Sequence, residues 1–352
     1  MNLKKQNAVK IENKKINLIL SFLKKQKLID NNLKLIKEDD SITVPLKKLT
    51  EEDEKLIKEK DIIIIQDNFE EKEKNINFKE EVLKILTDEE SEKLKTAYDL
   101  VGEIAILEIE DILLPKRKQI GEILLKSNPS VTTVVRKKGA HEGELRLQKY
   151  EVIAGKDTLE TIHKENSCKL KLILDQVYYS SRSATERKRI AKLVKDDENV
   201  LVMFSGAGPY PCVLSKNTNA KNIIGIELNE IGYKLSVETI KLNKIKNVDL
   251  IQGDVRQVCP ELKEKGLTFD RIIMPLPKTA EEFLPEAFQV SKKGTIIHLY
   301  DFVDEREFPE NVISKIKQYC DEFKLKYEIL DSVKCGSFSP HIYRVCVDFK
   351  II

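Results

Sequence analysis

The sequence has no Cys-x-x-Cys pair. Its six cysteines stand apart at 168, 212, 259, 320, 335 and 346, which excludes a zinc ribbon or a disulfide framework and fits a reducing cytoplasm. It has no apolar run of about 18 residues, and its opening stretch, MNLKKQNAVKIENKK, is too polar for a secretory signal. A soluble protein without a membrane partner is expected. Charge imbalance is almost absent, with 61 basic against 59 acidic residues. Global charge therefore does not mark a nucleic-acid protein, and local clusters would have to do so. The third glycine of the dinucleotide fingerprint is missing too. In VMFSGAGPYP (202–211), Pro211 stands where G-x-G-x-x-G requires glycine.

What is present reads as three regions, within reach of a chain of 352 residues. Residues 1–70 predict a small α/β domain. INLILSFLKKQKLI has helical spacing, SITVPLKKL alternates like a strand, and DIIIIQD is a short apolar strand. The charged segment 68–81 reads as a linker. Residues 82–180 predict an α+β domain with an antiparallel sheet, strands over AILEIED, VTTVVRKKG, ELRLQKYEVIAG and VYYSS, and a helix opened by Pro115. Residues 181–352 alternate strand and helix, which predicts a doubly wound, Rossmann-like parallel sheet. Its first helix starts at Ser183 with Glu186 three residues on, the spacing of a capping box.

In such a sheet, ligands sit beyond the carboxyl ends of the strands. Four strand ends here suit one ligand. The first carries Gly206 and Gly208, where backbone can approach closely. The second ends at Glu227, a carboxylate able to accept from both hydroxyls of a ribose. The third ends at Asp254, placed to accept from an adenine amino group. The fourth ends in MPLPK (274–278), a rigid bend with Pro275 and Pro277. A glycine loop without a full phosphate nest, a ribose carboxylate and an adenine-side acid describe a nucleoside without phosphate, S-adenosyl-L-methionine. Phe204 and Ala207 in the loop, with Leu228 and Val255 beside the two acids, complete the expected cofactor shell. Blander readings stand beside these: Glu227 as a neighbour of a helix N-cap, Asp254 as a turn acid.

With these residues the chain resembles the archaeal and eukaryotic tRNA (guanine-37-N1)-methyltransferase family. The likeness runs through GELR (143–146), TIHKEN (161–166), VYYSSRSATER (177–187), FSGAGPY (204–210), MPLPK and the tail FSPHIYRVCVDFK (338–350). It implies a class I methyltransferase domain, an upstream RNA-recognition domain and an N-terminal domain that touches the tRNA elbow. It also implies that Arg146 contacts the target guanine at O6, that Tyr178 and Arg182 line the site, and that Glu186 is the general base. The implied substrate is guanosine 37 in the anticodon loop, the implied acting unit a monomer. Without the resemblance, Arg146 beside Glu144 reads as a surface ion pair, Tyr178 as core, and Glu186 as the capping-box partner of Ser183.

The departures are specific. Ser181 replaces the family's proline before Arg182, Val202 an acid, and Ser205 an alanine. Pro275 stands where the family has asparagine, so an amide donor and acceptor are lost. Pro275 with Glu227 resembles an archaeal branch that also methylates a wyosine precursor. His163 reads as structural, and His298 and His341 have no cysteines at metal spacing, so no metal is expected. Basic stretches at 115–119, 136–141 and 186–192 suit phosphate contacts. Two rival activities share this sequence pattern: transfer of the aminocarboxypropyl arm of the same cofactor to tRNA, and silent RNA binding.

Overall fold

Lysine-rich as it is, Leu3–Glu12 forms a central strand of the N-terminal unit, residues 1–77. The computed structural model describes residues 3–71, 76–143 and 145–352, with backbone alone at 140–142. Leu3–Glu12 pairs antiparallel with Ser41–Pro45 on one side and Ile64–Glu70 on the other. Sequence patterning does not announce this strand, because only Ala8, Val9 and Ile11 on it are buried. Helices Ile16–Lys25 and Glu51–Lys58 contribute Leu23 and Ile57 to a core with Val9, Ile42 and Val44. The expected linker is shortened from both ends. The strand runs through Glu70 and a helix starts at Phe78, while 72–75 lie outside the described residues.

The second unit spans 78–352. Its first sheet orders Tyr98–Val101, Ile104–Leu107, Thr133–Glu142 and Leu147–Gly155. The expected antiparallel sheet is corrected at its centre, where Ile104–Leu107 and Thr133–Glu142 pair in parallel. Parallel neighbours need a crossover, which the helix Arg117–Ser127 supplies. Period-two alternation splits the apolar residues between two faces. Ala105 and Leu107 pack with Ile120 and Leu124 of that helix. Ile104 and Ile106 face the other way, into one core with Ile190, Val200 and Tyr210 of the following region. The two regions thereby share one hydrophobic core. Val177–Ser180, expected as a strand, is irregular.

The large sheet has seven strands: β1 (Asn199–Val202), β2 (Asn222–Glu227), β3 (Val248–Gln252), β4 (Phe269–Met274), β5 (Ser291–Asp304), β6 (Tyr327–Ser339) and β7 (Ile342–Ile351). Their order is β3-β2-β1-β4-β5-β7-β6, parallel through β5 and antiparallel at β7 and β6. The helices are α1 (Ala184–Leu193), α2 (Pro209–Asn217), α3 (Glu230–Leu242), α4 (Val255–Glu264), α5 (Leu284–Gln289) and α6 (Glu310–Glu322). Connections run outward from β1 to one side and, from β4, to the other. The crevice between them at the strand ends is the switch point where such sheets bind ligands.

Candidate active site

The loop after β1 is shaped by three left-handed residues: Phe204 (φ 61°), Gly206 (φ 57°) and Gly208 (φ 79°). Gly208 is the N-cap of α2, and Pro209 starts the helix with its φ already set. A Cβ on Gly208 would lie 3.1 Å from Cβ of Ser236, whereas one on Gly206 meets nothing nearer than 3.7 Å. Gly206 is therefore required by its dihedral alone, Gly208 by dihedral and space. Glu227 holds the loop. One carboxylate oxygen accepts from the Gly206 N–H at 2.5 Å, the other from the Asn229 N–H at 2.8 Å. Burial raises its pKa against these backbone donors. Asp254 caps α4, accepting from the Arg256 N–H at 2.8 Å.

These strand ends enclose a cavity of about 440 Å³. Phe204, Gly206, Glu227, Leu228, Asp254, Val255, Pro275 and Pro277 line it from the large sheet, Arg146 and Tyr178 from the preceding region. The Arg146 guanidinium donates to the Pro277 carbonyl, joining the two walls. Burial lowers its pKa, opposed by Tyr178.

Four expected site residues lie off the cavity wall. Ala207, which is buried, and Gly208 belong to the loop but do not line the cavity. Arg182 turns outward and forks onto Asp99, with both bonds at 2.9 Å. Glu186 is buried behind the wall, held by Arg189 at 2.8 and 2.7 Å and by the Tyr300 hydroxyl at 2.6 Å. The expected capping box is not formed. The Ser183 hydroxyl accepts from Arg344, and no side chain caps α1. The strand reading for Arg146 is also corrected: it sits in a turn at φ 51° before the strand begins at Leu147. Glu144, its supposed ion-pair partner, lies outside the described residues.

Sequence reasoning missed Tyr210, Tyr300, Ser205, Phe283 and Arg344 on the wall. Buried Ser205 Oγ and Arg344 Nε have no partner. Tyr300 lies within the apolar strand β5, where a phenol reads as core. Its hydroxyl was the one available signal, because a buried tyrosine usually finds a polar partner. Behind it runs a buried chain of polar contacts. Arg189 reaches Asp348 at 2.7 Å, Asp348 meets His298 Nδ1 at 2.6 Å, and His298 Nε2 meets Arg271 at 2.7 Å. Arg271 ends on Glu198 at 2.7 and 3.0 Å. His298 thus clusters with Cys346 and Asp348 within 4.8 Å, brought to them by strand pairing and not by sequence spacing. Their ligand atoms bond one another and the two guanidiniums.

His163 accepts from the Gly102 N–H at 3.0 Å, in keeping with a structural role. The basic stretches are less available for phosphate than expected. Lys116, Arg117, Arg136, Lys137, Arg187 and Arg189 are ion-paired within the fold, while Lys118, Lys138, Lys188 and Lys192 are exposed.

The TRM5/TYW2 methyltransferase domain matches residues 161–330, and the TYW2 N-terminal domain matches 78–158. The chain is 37% identical over 258 residues to tRNA (guanine(37)-N(1))-methyltransferase Trm5b of Pyrococcus abyssi, covering 73% of this chain and 76% of that one. The chain belongs to the TRM5/TYW2 methyltransferase family. Nanoarchaeum equitans tRNA (guanine(37)-N(1))/4-demethylwyosine(37)-methyltransferase Taw22 is 33% identical, with 73% and 100% covered. Pyrococcus horikoshii tRNA(Phe) (4-demethylwyosine(37)-C(7)) aminocarboxypropyltransferase is 32% identical, with 71% and 87% covered. The solved complex of aTrm5 and tRNALeu matches at 31% identity with a TM-score of 0.70, covering 98% of this chain and 99% of that one. No described helix is long and apolar enough to cross a membrane.

Proposed function

We propose that this protein moves a methyl group from S-adenosyl-L-methionine to N1 of guanosine 37 in tRNA, and also methylates the tricyclic base 4-demethylwyosine. One observation carries the reading. Arg146, from the region matched to the TYW2 N-terminal domain, and Tyr178, from the segment ahead of the large sheet, share one cavity with Glu227 and Asp254 at the strand ends. A nucleoside half-site and a base half-site then face each other, as direct transfer requires.

The residues fit the cofactor. Glu227 keeps acceptor capacity for ribose hydroxyls beyond its backbone donors, since a carboxylate offers about four lone-pair sites. Asp254, Val255 and Leu228 border the space for the purine, and Phe204, Gly206, Ala207 and Gly208 form the loop beneath. The bound cofactor supplies an electrophilic methyl. The protein's own residues do the rest. Tyr178, 40% exposed at the mouth, stacks on the flipped base. Arg146 has five N–H donors and can meet developing charge at O6 while keeping the Pro277 carbonyl. Guanine N1 carries a proton, and Glu186 is the carboxylate that takes it. Pro275 and Pro277 form an apolar wall for a fused third ring. The N-terminal unit touches the tRNA elbow, the exposed lysines meet phosphate, and the protein acts as a cytoplasmic monomer.

Mass spectrometry of nucleosides after incubation with tRNA and S-adenosylmethionine tests this. One added methyl on guanosine 37 supports it. An added aminocarboxypropyl group, or no product despite cofactor binding, refutes it.

A further inference from the structure

Glu186 does not border the cavity, but Tyr210 and Tyr300 both do. The Tyr300 hydroxyl lies 2.6 Å from a Glu186 carboxylate oxygen, and the Tyr210 hydroxyl lies 2.9 Å from that of Tyr300. An ionised carboxylate only accepts, so Tyr300 donates to Glu186. The Tyr300 oxygen is then left to accept, and Tyr210 donates to it. Every O–H in the chain points toward Glu186, and the lone pairs of Tyr210 remain at the other end. The acceptor itself is fixed by the two-pronged contact from Arg189, which Asp348 holds in turn.

We infer that the Tyr210 and Tyr300 hydroxyls relay the target base's proton from the cavity to Glu186, an assignment that rests on the methyl-transfer reading above. The N1–H bond breaks and leaves its electron pair on nitrogen. The proton passes to the Tyr210 oxygen, the Tyr210 proton to Tyr300, and the Tyr300 proton to Glu186, which ends as the neutral acid. Both phenols begin and end neutral. Burial pushes the pKa of each up, so neither stores the charge as a phenolate. The other groups facing Glu186 are the Cys335 and Cys346 thiols, which burial also keeps protonated, and the Arg189 guanidinium. The Arg187 guanidinium beside the Tyr210 ring is committed to Glu165 at 2.5 and 2.6 Å.

The test uses the full chain, tRNA bearing guanosine 37 and S-adenosylmethionine. Tyr300→Phe and Tyr210→Phe keep the rings, so the fold and both binding affinities should hold by calorimetry. Single-turnover transfer should drop about 10²–10⁴-fold for Tyr300→Phe, as for Glu186→Gln, the usual cost of losing a positioned proton acceptor. The double variant should be no slower than either single one, because members of one path are not additive. Raising the pH should recover rate in Tyr300→Phe more steeply than in wild type, as solvent base replaces the path. A slow Glu186→Gln with a near-wild-type Tyr300→Phe would show Glu186 acting directly, overturning the relay and sparing the reading. Singles whose losses multiply in the double variant also overturn it. A wild-type protein that leaves guanosine 37 unmethylated removes the reading itself, and the relay with it.

Discussion

Asp348 and His298 are register partners across the β5–β7 ladder, and their side chains meet at 2.6 Å in the buried core. The Nδ1–H donates to the carboxylate, while Nε2 faces the Arg271 guanidinium at 2.7 Å and can only accept from it. His298 is therefore neutral. Burial lowers its pKa, outweighing the support of Asp348. Burial lowers the pKa of His163 as well. An unfolded histidine binds its proton near pH 6.5, and these two bind theirs only at lower pH when folded. Their contribution is thus complete above about 6.5 and is lost as pH falls toward the folded values. Melting temperature should drop between pH 7 and pH 5, and less steeply in the His163→Gln/His298→Gln variant. The exposed His341, raised by Glu305, acts in the opposite sense in both proteins. Parallel slopes would show that neither imidazole titrates in this window.

The parallel sheet and its ligand-facing acids were legible because their signals are local. A strand, a glycine turn and a following acid at 227 or 254 repeat within short windows. Arg182 and Glu186 were legible as residues and not as positions. The partner of Arg182, Asp99, is 83 residues away, and those of Glu186 include Tyr300, 114 residues away. A capping box was the best local reading at Ser183. Arg344, arriving from β7, took the hydroxyl instead. The network from Glu198 to Glu186 was invisible for the same reason, since strand pairing alone sets His298 opposite Asp348. The parallel pair at Ile104–Leu107 and Thr133–Glu142 was missed because the alternation of a short strand does not encode its direction.

Glu227 has two roles, as cavity wall and as acceptor for the Gly206 N–H. Glu227→Ala should weaken S-adenosylmethionine by about 1.5–3 kcal/mol, the value of a charge-assisted hydrogen bond. The same change frees the loop, so exchange protection of the Gly206 amide should fall in the ligand-free protein. Calorimetry that returns the wild-type affinity would take Glu227 out of the binding site.

Gly206 and Gly208 both adopt left-handed backbone, which costs an alanine about 1–2 kcal/mol. Only Gly208 also lacks room, with Cβ of Ser236 3.1 Å from where its own Cβ would stand. Gly208→Ala should therefore lower stability to denaturant more than Gly206→Ala. Equal losses would mean that α3 shifts to admit the methyl group and that dihedral strain is the whole effect.

Pro275 lines the cavity at the end of β4 and offers neither amide donor nor acceptor to a base. An apolar ring suits a fused, three-ring base that covers it. Pro275→Asn adds a polar amide at that spot. Guanosine, smaller and rich in Watson–Crick partners, can pair with the amide or leave it to water. A tricyclic base would bury it without full partners, at about 1–3 kcal/mol. Guanosine methylation should therefore stay near wild type, while kcat/KM for tRNA carrying 4-demethylwyosine falls roughly 5- to 150-fold. Parallel assays on the two tRNAs decide it. Equal loss on both, or loss on neither, would show that the residue at 275 does not set the range of bases this cavity accepts.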